Sequence, residues 1–194
     1  MLSFAALKDR VGRRLSRFTG DQRGVSAVEF ALLLPLMLTL YIGCVEVSQA
    51  VSVDRKVSLT ARAVADLVAQ GTNVNNAEMA NILSAAKAVT APYPVGPLSV
   101  TVSSVKIDAN KKATVEWSDG LNASPRGVGE VVPIDERIAI PDTYLIWAEV
   151  KYVYTPIFGG APTDLFYKLT GPKTLRDQIY MRPRLQAQVT RSAT

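Results

Sequence analysis

The stretch that decides the fold is residues 23–53, which read RGVSAVEFALLLPLMLTLYIGCVEVSQAVSV. Residues 30–45 carry no charge, and residues 25–53 contain only two charged side chains, Glu29 and Glu46. The uncharged run covers about 24 Å as a helix, and a helix that continues to Val53 exceeds the bilayer hydrocarbon thickness of roughly 30 Å. The composition therefore predicts a helix that can span a membrane.

The charges that precede this segment predict its orientation. Residues 1–24 hold six Lys and Arg against two Asp, which gives +4 of the chain's net charge of +5. The positive-inside rule keeps this basic leader in the cytoplasm and places the C-terminal part across the membrane. The leader is also amphipathic, so we expect it to contact membrane lipid. Because so little positive charge remains elsewhere, we expect no nucleic-acid partner.

The amino-acid types that the sequence lacks exclude several kinds of functional site. The chain has no histidine and one cysteine, Cys44, inside the apolar run. Histidine-based zinc sites, catalytic triads and an intramolecular disulfide are therefore excluded. The adjacent acids Asp135 and Glu136 have no partner pattern around them, so we expect solvated charges. We predict no catalytic residue, no metal site and no cofactor, and a protein that is not an enzyme.

Beyond the apolar run the pattern predicts an α+β fold. Apolar residues at helical spacing extend the first helix over residues 25–70, and Asn75 with Glu78 predicts a capped second helix over residues 76–89. A change to period two then predicts strands at residues 98–107, 113–118 and 143–154, with an edge strand at residues 175–181. The fold class is a long N-terminal helix with a transmembrane first half, a second helix and a small antiparallel sheet.

Several local features follow from the strand pattern. Asp108 to Lys111 form a turn that makes a hairpin of the first two strands, and Ala113, Val115 and Trp117 share one face. A loop begins at Asp119. The aromatic residues of the later strand pack within the sheet or form an exposed strip for a partner; they are Tyr144, Trp147, Tyr152 and Tyr154. We expect an irregular segment from Pro156 to Pro162. Residues 182–184, Arg-Pro-Arg, form a solvated tail or contact a partner.

The entrance of the apolar run resembles a type IV prepilin processing site, because Gly24 begins the sequence G-V-S-A-V-E-F. The preceding D-Q-R-G, the junction V-S-A-V-E-F-A-L-L-L-P, and the later Y-T-P-I-F and Y-M-R-P-R resemble the TadE/TadG-like proteins of tight-adherence (Flp) pilus systems. The resemblance implies a pilin-like minor pseudopilin. Such a protein is processed by a prepilin peptidase and assists assembly of a type IVb pilus for surface adhesion.

The resemblance also implies roles for four residues. Gly24 precedes the cut and Val25 becomes the mature N-terminus, while Glu29 serves peptidase recognition or subunit alignment and Phe30 continues the apolar packing face. Chemistry leaves two readings of Glu29 open. It pairs with the amine freed on Val25 or on a neighbouring subunit, or it lies at headgroup level near the start of the helix, where an acid is favoured.

These expectations define three segments: a cleaved cytoplasmic leader at residues 1–24, a transmembrane segment at 25–53 and a periplasmic α+β domain at 54–194. The implied partners are the peptidase, other pilins and pseudopilins, the inner-membrane assembly platform and lipid. The location is the bacterial inner membrane, with the extracellular pilus as a second location. The alternative is an uncleaved, single-pass periplasmic interaction module with the same topology.

Overall fold

The computed structural model describes residues 23–157 and 171–193 of the 194-residue chain. Within them the helices are α1 (Arg23–Ala69) and α2 (Asn76–Thr90). The strands are β1 (Asn73–Val74), β2 (Leu98–Ile107), β3 (Ala113–Leu121), β4 (Val131–Val132), β5 (Thr143–Tyr154), β6 (Lys173–Met181) and β7 (Thr190–Arg191). A five-stranded antiparallel sheet has the order β4-β3-β2-β5-β6, and β1 pairs with β7 in parallel. The predicted α+β class, with a long apolar helix, a second helix and an antiparallel sheet, is confirmed.

The chain divides into two compact units, residues 1–45 and residues 46–194. We call the second unit the domain. The part of α1 that lies in the domain presents Val53, Val57, Ala61, Val64 and Val68 to the core, each at most 2% exposed. Their spacing of three or four residues puts them on one side of the helix. They pack in one cluster with residues of α2, β2 and β5, which makes this part of α1 a core element.

The second helix begins as the sequence predicts. The Asn75 side chain accepts a hydrogen bond from the N–H of Glu78, and the Glu78 carboxylate accepts one from the N–H of Asn75, both at 2.9 Å. This capping box satisfies two of the N–H groups that a helix start leaves without partners. Behind it, Met79, Ile82 and Ala86 are buried against the core.

The hairpin between β2 and β3 is also confirmed. Its turn is held by the Asp108 carboxylate, which accepts hydrogen bonds from the N–H groups of Asn110 and Lys112 at 2.9 and 2.8 Å. Lys111 completes the turn in the left-handed region at φ 63°. The strand β3 continues past the predicted end at residue 118, because β2 is long enough to pair with Asp119, Gly120 and Leu121. At Gly120 any Cβ would collide with the carbonyl oxygen of Ala123, so glycine is required there.

The prediction that Ala113, Val115 and Trp117 share one face is wrong. The register shifts within the β2–β3 ladder, so that Ser104 faces Trp117 while the next residue, Val105, faces Val115. Such a bulge changes which face the following side chains occupy. Trp117 therefore packs in the cluster that contains the helices, whereas Ala113 and Val115 pack in a second cluster with Val132 and Ala139.

The segment after β6 is attached to the helices, which corrects the expectation of a solvated tail. Arg184 forms an ion pair with Asp66 of α1, and its N–H donates to the carbonyl of Ala69 at 2.9 Å. Further along, the carbonyl of Val189 accepts a hydrogen bond of 2.8 Å from the indole N–H of Trp117. The edge strand β6 is confirmed. The predicted irregular segment from Pro156 to Pro162 lies mostly outside the described residues.

Candidate functional site

The first half of α1 is apolar and exposed on all sides. Its large side chains are 38–75% exposed from Val25 to Tyr41, and the most apolar window of 18 residues has a mean hydropathy of 2.1 with none of it buried. A helix of this composition in a water-soluble core would be covered by other elements. A helix satisfies most of its backbone hydrogen bonds internally, which is what a lipid environment requires. This segment fits a single-pass membrane anchor.

The anchor is continuous with the domain core. The helix is described as one element of 47 residues, with Pro35 inside it. From Val53 onward its inward side chains belong to the buried cluster. A removable signal sequence would carry no core residues. Cutting near the start of α1 would leave the anchor and the domain joined. Cutting after Val53, at the end of the apolar run, would separate the anchor from the domain.

The four residues singled out for processing lie together in the first two turns of α1. Gly24, Val25, Glu29 and Phe30 are all exposed, and a Cβ on Gly24 would meet no atom of residues 23–157 and 171–193 within 4 Å. The residues on both sides of the Gly24–Val25 bond are therefore exposed. The roles of these four residues in processing stay predictions.

A second acid of the apolar run, Glu46, is bound within the domain. It is 9% exposed, and its Oε2 accepts a hydrogen bond of 2.8 Å from the hydroxyl of Tyr154, which is also 9% exposed. Burial, and then the hydrogen bond and charge of Glu46, raise the pKa of Tyr154 to about 12. The sequence predicts a packing role for Tyr154 and does not reveal this bond. The available signal was Glu46 itself, because an acid at the end of an apolar run needs a donor.

The raised pKa of Tyr154 predicts alkaline sensitivity. An unfolded tyrosine titrates near pH 10, so the folded state binds the extra proton between about pH 10 and pH 12. The stability contribution is therefore complete below pH 10 and is lost as the pH rises, by about 1.4 kcal/mol per pH unit. We expect Tyr154→Phe to reduce the amount by which the free energy of unfolding falls per pH unit above about pH 10. Denaturant unfolding of the full chain in detergent at about pH 9 and about pH 11 measures it. An unchanged slope in Tyr154→Phe would contradict this assignment.

Another polar cluster lies on the sheet face away from the helices. The Arg126 guanidinium contacts Glu149 Oε2 at 2.5 Å and Ser103 Oγ at 3.0 Å, and it stacks over the Trp147 ring at 3.5 Å from the centroid. Lys151 also contacts Glu149, at 3.0 Å. The charged and hydroxyl groups of this cluster are paired with one another, which makes the cluster structural. A neighbouring cleft of about 320 Å³ is lined by Glu149, Arg176, Asp177 and Gln178.

The remaining candidates from the sequence have simple surroundings. Asp135 pairs with Arg137 at 2.6 Å on the surface, and hydrogen bonds from Arg137 lower the pKa of Asp135. Trp147, Tyr152 and Tyr154 are buried, which confirms their packing role, although Trp147 lies on the opposite face from the two tyrosines. Tyr144, the fourth aromatic residue of the strand, is only partly buried. Among the described residues no group of three or more Cys, Asp or Glu side chains could hold a metal ion.

An exposed apolar helix joined to an α+β domain defines a class of proteins with one N-terminal membrane anchor. Within that class, residues 24–66 match the family model described as TadE-like protein. The match begins at Gly24, includes the whole apolar run and ends inside the core part of α1. The resemblance to TadE-like proteins is therefore confirmed over this segment. No curated protein and no solved structure matches the chain.

Proposed function

We propose that this protein is a minor pseudopilin that assists assembly of a tight-adherence pilus for surface adhesion. The observation that carries the proposal is the TadE-like match over residues 24–66, in which an exposed apolar helix continues into a domain core. A subunit of this kind can be held in the bilayer by the first part of the helix while its domain contacts other pilus proteins. The function is structural and needs no catalytic group.

Processing after Gly24 is part of the proposal. Cutting there removes the basic leader and frees an amine on Val25, four residues from Glu29. One helical turn separates residues i and i+4, so the amine and the carboxylate can pair within one subunit. In an assembly the same carboxylate can pair with the amine of a neighbour. Either pairing offsets the roughly 2.5 to 3.5 kcal/mol cost of an unpaired charge in the bilayer.

The proposed topology follows from the leader charges. Residues 1–24 stay in the cytoplasm, where the prepilin peptidase of the inner membrane acts on the Gly24–Val25 bond. The domain lies in the periplasm, where pilins, pseudopilins and the assembly platform are its partners. An extracellular location within the pilus is the second site proposed for the processed protein.

The test is the N-terminal sequence and intact mass of the protein from native membranes, with and without the peptidase. We expect a start at Val25 when the peptidase is present and at Met1 when it is absent. A start at Met1 in both strains would overturn processing and leave the uncleaved, membrane-anchored interaction module. Recovery of the protein in the soluble fraction of both strains would overturn the anchor itself.

A further inference from the structure

The end of the domain nearest to Glu46 carries exposed apolar side chains that its own core does not use. On α1, Val47 and Val51 are 64% and 46% exposed, and at the end of β5 Val153 and Ile157 are 46% and 67% exposed. Tyr154 lies between the latter two in the chain and is bonded to Glu46. Isolated exposed apolar residues are ordinary on a protein surface. These four residues, however, lie on both sides of the hydrogen bond between Glu46 and Tyr154.

Chain continuity places this end beside the bilayer. Glu46 follows Val45, the last residue of the uncharged run, so any group bonded to Glu46 lies within a few ångströms of where that run ends. Residues 25–45 measure about 31 Å as a helix, which matches the hydrocarbon thickness of roughly 30 Å. Residues 25–45 are therefore long enough to span the hydrocarbon layer, which leaves Val47, Val51 and Tyr154 outside it.

The next part of α1 has the composition of a membrane interface. From Glu46 to Val53 the helix exposes Val47 and Val51 but no charge, and the first exposed charges are Asp54 and Arg55. This length of about 12 Å suits a headgroup layer and the water beyond it. The sheet contributes an exposed lysine at the same end, because Lys173 of β6 pairs with Tyr154. Such residues favour the interface, where an apolar body meets polar headgroups.

We propose that this end of the domain, which we call the docking end, rests on the lipid surface where α1 leaves the bilayer. The docking end consists of the exposed side chains of Val47, Val51, Val153 and Ile157, which flank the bond between Tyr154 and Glu46. Glu46 then lies at headgroup level, and the span ends at Val45 instead of the predicted Val53. This inference rests on the membrane anchoring of the proposed function, and it adds lipid as the partner of a specific surface of the domain.

The experiment measures the depth of single labels on the full chain. In a Cys44→Ser background, Met37→Cys, Val51→Cys, Ile157→Cys and Val128→Cys are each labelled with an environment-sensitive fluorophore. The protein is then reconstituted in vesicles of phosphatidylcholine and phosphatidylglycerol with quenchers at the headgroup, at the bilayer centre or in the water. Val128 is the matched control, because it is 77% exposed and lies near Val115, toward the other end of β2.

We expect the label at Met37 to lose most of its fluorescence to the central quencher, and the labels at Val51 and Ile157 to lose most to the headgroup quencher. The label at Val128 should respond only to the aqueous quencher. If Met37 also responds only in water, the anchor of the proposed function fails. If Met37 is deep while Ile157 behaves as Val128 does, the docking end is refuted and the anchor stands.

Two further outcomes would also overturn the proposal. Quenching of the Val51 label by the central quencher would place the end of the span near Val53, as the sequence predicts. Protection of the Ile157 label from every quencher would mean that protein covers the docking end, and a second copy of this chain would become the occupant.

Discussion

Gly24→Leu is expected to abolish processing and to leave the protein in the membrane at its unprocessed length. A peptidase that cuts after glycine has to bind the residue before the cut closely, and a leucine side chain would obstruct that approach. The described part of the fold offers no competing explanation, since a Cβ at Gly24 would meet no atom of the described residues within 4 Å. Intact mass and N-terminal sequencing of the membrane fraction measure the result.

Gly43→Leu is the matched control for this experiment. Gly43 lies in the same exposed half of α1, and a Cβ there also meets nothing within 4 Å. Both substitutions replace a helical glycine by leucine, which favours the helix by roughly 0.5–1 kcal/mol. We expect the Gly43 variant to be processed normally. Normal processing of the Gly24 variant, or a block in both variants, would refute the role of Gly24.

Arg126→Ala is expected to lower the free energy of unfolding by about 3 kcal/mol, within the range measured when one member of a buried ion pair is removed. The side chains of Arg126 and Glu149 are 14% and 19% exposed. Without Arg126, Glu149 keeps only Lys151 as a charged neighbour among the described contacts, and Trp147 loses the cation stacked on its ring. Denaturant unfolding of the full chain in detergent gives the value.

Arg137→Ala serves as the control, because it breaks an arginine–carboxylate pair of similar length in a different environment. The pair joins Arg137 to Asp135 at 2.6 Å, but the two side chains are 88% and 46% exposed. Water and salt screen such a pair, so its loss should leave the unfolding midpoint unchanged. Equal destabilisation by both substitutions would show that burial does not determine the contribution of Arg126.

The sequence predicted most of the fold because its signals were local. The capping pair Asn75 and Glu78, the Asp108 turn and the apolar run each specify their structure within a few residues. The bulge that separates Val115 from Trp117 depends on the register against β2, so no property of β3 alone could reveal it. The attachment of Arg184 to Asp66 is also a contact between distant parts of the chain, and a tail rich in Arg and Pro reads as solvated.

The candidate site divides in the same way. Gly24, Val25, Glu29 and Phe30 form a contiguous motif, so the sequence could place them, although the structure does not test their roles. The bond from Tyr154 to Glu46 joins residues 108 positions apart, and the Arg126 cluster takes residues from a loop and two strands. A local sequence pattern cannot reveal either the bond or the cluster, because both join residues that are far apart in the chain. In both cases the sequence supplied one partner and the fold supplied the other.

The continuity of α1 also decides how a water-soluble form of this protein would have to be made. Removing the whole helix would take Val53, Val57, Ala61, Val64 and Val68 away from the sheet and expose the apolar surface that they cover. A truncation that begins at Glu46 would keep every one of these contacts and the bond to Tyr154, and would discard the exposed apolar side chains of the anchor. The natural place to shorten the chain is therefore in the middle of a helix, not in a loop.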